Sequence, residues 1–524
     1  MSQGNLRTIA KAASLVVIFF IISRVLGVIR DAVLAGQFGT SREYEAYLAA
    51  FSIPDFIFYV ISGGALGSAF IPTFTGYLTK GDTHSAWRLA SAVLNWLLLV
   101  QIGLAAVMAI FAPALVDQIF FGFSPESKEL TASLMRWLLI STVIFGMSGL
   151  VMGILQAHQH FLLPAVAPVI YNLAIIAGAL FLAPSMGVYG LVVGVIIGAA
   201  GHLLIQVPGL LRFHMHYEPI LMPKDPGVRQ VARLMGPRMF GLAAIQFNFV
   251  WDKILASTLT IGSLSGLDYG RRIMLLPQGI IGQAVASAAF PTFSALVAEE
   301  KWEDLQHAFT STLRSILYLS IPSTIGLLML GRPLIQIIFE RYEFDAESTQ
   351  FTYWALAFYS LGLVSHAVLE IVTRAFYALH NTKTPVVVGV IAMVVNIVFS
   401  WILMQWFDRV GLEPHGGIAL ASSIAVTLET VWLVYRLRRL PGELSVMQLS
   451  KPLGLIMLAG AAMAISLWGL LNLTAGWSPW LITPLGIALG TTVYGLISLL
   501  LGVREPVVLL QQVRRRIRLP QRRK

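Results

Sequence analysis

Ser68-Ala69-Phe70-Ile71-Pro72-Thr73-Phe74 returns 219 residues further along the chain as Ser287-Ala288-Ala289-Phe290-Pro291-Thr292-Phe293. The flanks keep register with it. Pro113 aligns with Pro333, while Ala157 and Pro164 align with Ala378 and Pro385 at an offset of 221. Gly187 to Gly190 corresponds in the same way to Gly416 to Ala419. Apolar sequences resemble one another cheaply, but prolines that hold register from Pro72 to Pro164 favour a duplication.

What is duplicated is written for a bilayer. The chain has 524 residues, of which 57% are hydrophobic and 12% charged, where soluble domains carry about 25% charged residues. So few charges could not cover the surface of a water-soluble fold. Apolar runs near the roughly 20 residues needed to cross a membrane recur throughout. Fourteen spans are expected, near 9–36, 45–78, 86–116, 130–156, 161–183, 187–211, 231–258, 264–297, 308–331, 350–379, 384–407, 416–436, 452–473 and 479–502. Backbone groups in lipid must satisfy one another, so the spans read as helices. The alternating segments of a β-barrel are missing. Arg7, Lys11 and the apolar run after them resemble a signal peptide, but Arg24 stands where a small-residue cleavage site belongs, so a retained first helix is expected.

The expected fold is therefore all-α integral membrane: two six-helix lobes, 1–215 and 216–440, then two helices in 441–503 and a basic tail over 504–524. Six spans is an even number, so both lobes share one orientation, and their pseudo-twofold axis runs along the membrane normal with a binding site expected between them. Prolines 54, 72, 237, 277 and 291 lie in or beside the second, seventh and eighth spans, which are expected to bend or break. Arg7, Lys11, Lys80, Arg88, Arg212, Lys224, Arg229, Arg233, Arg374, Lys383, Arg436, Arg438, Arg439 and the arginine-rich tail fall on one side, which the positive-inside rule makes cytoplasmic, with both termini. The acidic loop from Glu299 to Asp304 breaks that pattern. The tail reads as a segment near anionic lipid, not as a nucleic-acid arm.

A charge within a bilayer is costly and asks for an explanation. The first span holds Arg24, Arg30 and Asp31; Asp55 follows Pro54; the seventh span holds Arg238, Asp252 and Lys253; and the eighth opens with Asp268, Arg271 and Arg272. A basic cavity suits an anionic ligand, because guanidinium groups grip phosphate in a bidentate fashion. The plainer alternatives are an Arg24–Asp31 pair on one helix face, pairing of Arg30 with Asp31 or Glu45, and snorkelling. Asp252, with Asn396, Thr427 and Glu429, is a candidate cation site, against which stands a set of interhelical hydrogen bonds. His366, Glu370 and Arg374 recur every fourth residue, as a buried polar ladder or a proton-linked network. Gly63-x3-Gly67, Gly149-x3-Gly153, Gly194-x3-Gly198 and Gly486-x3-Gly490 mark close helix packing. There is no cysteine, so thiol chemistry is excluded; no phosphate-binding P-loop, H-E-x-x-H or G-x-S-x-G occurs either, and no metal site is firm.

Ser23-Arg24-Val25-Leu26-Gly27-Val28-Ile29-Arg30-Asp31 resembles the first-helix signature of the MurJ (MviN) family of lipid II flippases, within the MOP transporter superfamily. Ala50-Phe51-Ser52-Ile53-Pro54-Asp55 with Gly64 to Pro72 resembles the family's second helix, and Tyr269 to Gly279 its eighth. The likeness extends over essentially the whole chain. It implies a non-enzymatic transporter of the bacterial inner membrane that moves lipid II, the lipid-linked peptidoglycan precursor, to the outer leaflet by alternating access. It further implies that Arg24, Arg30 and Arg272 contact the pyrophosphate or tune gating, that Glu45 stands near the outer gate, and that Asp252 and Asn396 resemble part of a sodium site; Arg271 is a further candidate for the substrate, and Asp31 and Asp55 for gating or pairing. Phe58, Tyr59 and Gly63 stand where relatives often carry arginines and a glutamate, Arg271 and Leu275 where acids are expected, and Ser400 where the sodium site has an acid.

No cofactor is expected; coupling to sodium, protons or the membrane potential stays open at this point. The expected partners are lipid II, membrane lipids and other cell-wall synthesis proteins. The rival readings are a flippase for another lipid-linked oligosaccharide, a multidrug antiporter and, from another class, a membrane-embedded glycosyl or acyl transferase.

Overall fold

In the computed structural model, residues 3–438 and 449–506 are described. Arg439 and the basic tail beyond 506 lie outside the described residues, as do the side chains of Arg7 and Lys11. The described chain is helical, and its one β-feature is an isolated bridge between Arg341 and Phe344. It divides into two compact units, Met1–Ser265 with Arg341–Asp345, and Gly266–Glu340 with Ala346–Lys524.

The first unit contains α1 (Gln3–Phe38), α2 (Arg42–Ser62), α3 (Gly67–Thr79), α4 (Thr83–Ile110), α5 (Pro125–Ala157), α6 (Leu162–Met186), α7 (Val188–Arg212) and α8 (Pro226–Ala256). Helix starts are set by side chains that accept otherwise orphaned amides: Ser41 takes Tyr44 N at 3.3 Å and Asp82 takes Ser85 N at 3.0 Å. The Ser85 amide also holds the Asp82 carboxyl below the usual carboxylate range. Packing between α6 and α7 is close: a Cβ on Gly194 would sit 3.0 Å from Ala174 O, and one on Gly198 would sit 2.8 Å from Tyr171. The expected Gly194-x3-Gly198 contact is therefore real, whereas a Cβ on Gly67 would meet open space.

The second unit continues α9 (Ser263–Ala298), whose first turn straddles the division, into α10 (Trp302–Ile338), α11 (Ala346–Leu361), α12 (Leu363–Ala378), α13 (Lys383–Arg409), α14 (His415–Leu437), α15 (Ser450–Leu473) and α16 (Pro479–Leu500). Its core gathers Phe293, Phe309, Ile316, Ile371, Phe376 and Leu433, all fully buried. The C-terminal pair packs on α10 through Ile456, Met463 and Leu467, and Tyr494 donates to Tyr318 O at 2.7 Å.

Among the described residues, eleven helices are long and apolar enough to cross a membrane, or twelve when α11 and α12, bent by 44°, count as one span. The count of fourteen is thus not reached on length and hydropathy. The two spans outside this set are α1 and α8, which are 36 and 31 residues long. They are also the helices that carry Arg24, Arg30 and Asp31, and Arg238, Asp252 and Lys253.

Prolines act as expected in some helices and not in others. A proline has no amide to donate and crowds the preceding turn, and a π-helical stretch absorbs the mismatch. Such stretches run over Tyr59–Leu66 ahead of Pro72, over Gly178–Leu182 ahead of Pro184, and over Gly279–Gln283 between Pro277 and Pro291. Pro237, by contrast, lies inside one uninterrupted helix. Pro113 restarts a short helix after a break at Phe111, while its counterpart Pro333 lies within continuous α10.

Positions paired by the sequence repeat have matching turns. After α5, His158 N, Gln159 N and His160 N donate to Ile154 O, Gln156 O and Leu155 O at 3.1, 2.9 and 2.8 Å. After α12, Leu379 N, His380 N and Asn381 N donate to Ala375 O, Tyr377 O and Phe376 O at 3.1, 3.0 and 2.9 Å. Every partner is shifted by 221 residues, and Gln159 and His380 share the left-handed conformation, at φ of 57° and 56°. The turns after α3 and α9 match likewise: Asp82 N bonds Tyr77 O and Lys301 N bonds Leu296 O, with Gly81 and Glu300 both at positive φ. Phe74 and Phe293, paired by the sequence repeat, are both fully buried. The same three-bond turn with a left-handed residue also closes the helices ending near His214, Gly411 and Gly502, so it is a common helix-end motif and not a mark of the repeat alone. Within the acidic Glu299–Asp304 exception, Lys301 pairs with Glu299 at 2.7 Å.

The segment joining α7 to α8 is strapped to α4. Asn95 Nδ2 donates to Glu218 O and Ile220 O at 3.1 and 2.8 Å, and Trp96 Nε1 donates to Leu221 O at 2.7 Å. Ser91 Oγ accepts Glu218 N at 3.1 Å, Tyr217 donates to Asn95 Oδ1 at 2.8 Å, and Arg88 pairs with the Glu218 carboxylate at 3.5 Å. An extended segment has no internal ladder, so these side chains satisfy its backbone.

Candidate substrate site

Two sets of polar side chains lie within membrane-length helices, one in each unit. In the first, α1 presents Arg24 and Arg30 among mainly apolar neighbours. Arg24 is exposed, and its guanidinium lies 5.4 Å from the Phe20 ring centroid. No carboxylate among the described residues pairs with it, so the Arg24–Asp31 pairing is not the one adopted. Asp31 instead takes Arg30, whose Nε and Nη2 donate to Asp31 Oδ1 at 3.0 and 2.8 Å. Arg30 Nη1 donates to Asn172 Oδ1 at 3.1 Å, and Asn172 Nδ2 reaches Ser23 O at 3.4 Å. Asn172, on α6, therefore orients the Arg30 fork.

Glu45 is 5% exposed and sits elsewhere. Its Oε1 accepts Gly262 N at 2.9 Å, Leu264 N at 2.9 Å and Ser265 N at 3.2 Å, all within the first unit. It caps the start of α9 from 218 residues upstream of Ser263, a favourable place for a carboxylate because the amides and the helix dipole both point at it. The Arg30–Glu45 pairing is thus also not adopted. Asp55 is half-buried in α2; Lys253 Nζ, one residue past half-buried Asp252, donates to Leu48 O at 2.7 Å.

In the second unit, Arg272 Nε donates to Asp268 Oδ2 at 2.6 Å across one helical turn. Its neighbour Arg271 is half-buried, and its charge acts on His366 of α12. Glu370 and Arg374 are ion-paired one turn apart on α12. Gln278 Nε2 donates to Glu370 Oε1 at 3.4 Å and Arg374 Nη2 to Ser287 Oγ at 3.1 Å, which ties α12 to α9 on either side of the π-helical stretch. The ladder on α12 therefore resolves into a clamp between helices.

Asn396 and Thr427, two of the residues grouped as a candidate cation site, lie in the second unit. Asn396 is buried and accepts from Ser400 Oγ at 3.5 Å, while Thr427 is exposed, shares a hydrogen bond with Ser365 Oγ at 2.9 Å and donates to Ser423 O at 2.7 Å. Among the described residues no group of three or more His, Cys, Asp or Glu is arranged to hold a metal ion. Sequence reasoning missed Asn172, and it missed the buried set in which Ser148 Oγ lies 2.7 Å from His202 Nδ1 and accepts Gln206 Nε2 at 2.8 Å. The spacing of His202 and Gln206, four apart on an apolar helix, was the available signal.

A family model described as lipid II flippase MurJ matches residues 34–487, beginning beyond Arg24, Arg30 and Asp31. The chain is 31% identical to a Vibrio cholerae protein named probable lipid II flippase MurJ, over 95% of this chain and 97% of that one. Among solved structures, a lipid II flippase MurJ in an inward closed conformation superposes with a TM-score of 0.78 at 26% identity, covering 92% of this chain and 98% of that chain. An inward-facing multidrug resistance MATE family transporter of the MOP superfamily gives 0.68 at 16% identity, over 82% and 98%, and so shares the fold alone. A match across most of the chain, on an all-helical scaffold whose cations sit within membrane-length helices, makes this chain a member of the lipid II flippase MurJ family.

Proposed function

We propose that this protein translocates lipid II from the cytoplasmic to the outer leaflet of the bacterial inner membrane by alternating access. The observation that carries the reading is Arg24: a guanidinium exposed on a membrane-length helix, stacked on Phe20 and paired with no carboxylate among the described residues. Such a group is costly unless it meets an anion, and the pyrophosphate of a lipid-linked precursor is a matching acceptor. Arg30, Arg271 and Arg272 extend the cationic character. Asp31 and Asn172 orient Arg30, and Asp268 orients Arg272.

The gating role assigned to Asp31, Glu45 and Asp55 becomes more specific in this reading. Glu45 supports the first turn of α9, the helix that bears Arg271 and Arg272, so it sets their platform. Both termini face the cytoplasm, where the basic loops gather, and the basic tail meets anionic lipid there. The α8 carboxylate Asp252 remains a candidate for ion coupling. Expression in a bacterium depleted of its own flippase tests the proposal. Wild-type chain should restore growth and cell shape; a correctly inserted chain that leaves the cells to lyse would refute it.

A further inference from the structure

Glu429, grouped by sequence with the candidate cation residues, has no part in the proposed grip on the substrate. It lies on α14 eight residues before Leu437, about 12 Å of helix rise from that end. Its side chain is half-buried, and no hydrogen bond or ion pair joins it to any described residue. On α13 the facing position is Gly389, where a Cβ would stand 3.2 Å from Glu429 Oε1. The missing side chain leaves the room that the carboxyl occupies. The flanks of this seam are apolar and outward: Val386 and Val390 on α13 are 53% and 40% exposed, and Leu428 on α14 is 47% exposed.

The charges on the helices packed against α14 are engaged or remote. On α13 they are Lys383, about 9 Å of rise from Gly389, and Asp408 and Arg409 at the far end. On α12, Glu370 and Arg374 pair with one another, and His366 lies in the field of Arg271. On α11, Glu347 stands in the first turn. On α14 itself, His415 bonds Phe351 O, and exposed Arg436 lies two turns beyond Glu429. A carboxylate with no cation or donor beside it is costly in hydrocarbon, and taking up a proton removes that charge.

We propose that Glu429 is a proton-binding carboxyl on the lipid-facing seam between α13 and α14, neutral while embedded and exchanging its proton at the Leu437 end. The proton site stands without the lipid II reading, whereas its use in coupling transport rests on it. Dicyclohexylcarbodiimide, applied to the full-length chain in phospholipid vesicles, is the direct probe. The acid proton passes to a carbodiimide nitrogen, the carboxyl oxygen bonds the central carbon, and the adduct rearranges to a stable N-acylurea. Peptide mass spectrometry should find this adduct on Glu429 at mildly acidic pH. Labelling should fall roughly tenfold per pH unit once the group ionises. Glu429→Gln should abolish the adduct at this position, and Glu429→Asp, which withdraws the carboxyl from Gly389, should retain it at a lower rate. An unlabelled Glu429 at every pH, or labelling that does not change with pH, would overturn the proposal. No lipid II enters the assay, so its failure is separable from failure of the flippase reading.

Discussion

Glu45 Oε1 accepts the amide of Leu264 at 2.9 Å, with Gly262 and Ser265 beside it, so one buried carboxylate closes three amides at the start of α9. Removing it leaves those donors buried without an acceptor. Glu45→Ala should therefore cost about 1–3 kcal/mol. Glu45→Gln, which keeps one acceptor oxygen, should cost less. Thermal unfolding in detergent, followed by size-exclusion recovery, checks both, and equal stability of wild type and Glu45→Ala would remove the cap from the account.

Arg24 and Arg272 are assigned to the substrate. Arg24→Ala and Arg272→Ala should abolish complementation while membrane insertion stays intact by immunoblot. Arg272→Lys should also fail, because an ammonium lacks the planar fork. Asp268→Asn keeps an acceptor oxygen for Arg272 Nε and should retain partial growth. Wild-type growth from both alanine variants would dismiss their assigned role.

The candidate cationic residues could be read in the sequence because a charge inside an apolar run is costly and so stands out. The same reasoning could not choose partners. Arg24 and Asp31 share a helix face by spacing, yet Asp31 binds the adjacent Arg30, since a neutral amide from α6 draws the Arg30 fork into place. Asn172 carries no charge, and nothing local marks it. Prolines announced the interruptions near Pro72 and Pro291, but Pro237 and Pro333 sit in unbroken helices, because the cost of a lost amide bond can be met by tertiary packing. The repeat was legible in its prolines, and the residues it pairs, such as Gln159 and His380, share one turn conformation.

Those turns make their own prediction. Gln159 and His380 both hold a left-handed backbone that costs a residue with a Cβ roughly 1–2 kcal/mol. Gln159→Gly and His380→Gly should each raise stability, by up to about 1 kcal/mol after the added unfolded-state entropy of glycine. Melting temperatures of the two single variants provide the check. Gains in one turn and losses in the other would argue that the two are not equivalent.

The strap from Tyr217 to Leu221 should loosen when Asn95 is truncated. Asn95→Ala removes two donated bonds and one accepted bond. A loss of 1–2 kcal/mol in local stability corresponds to roughly 5–30-fold faster opening. Hydrogen–deuterium exchange at Glu218 and Ile220 measures it, and unchanged exchange would show that α4 does not secure this segment.

The claim underlying the rest is that lipid II crosses the bilayer through this protein. Outer-leaflet lipid II can be counted with a membrane-impermeant label in flippase-depleted cells supplied with wild-type chain or Arg24→Ala. The wild type should restore surface lipid II to the level of undepleted cells, while Arg24→Ala, inserted in equal amount, leaves it in the inner leaflet. Surface lipid II that remains at the depleted level with the wild-type chain in place would contradict the account.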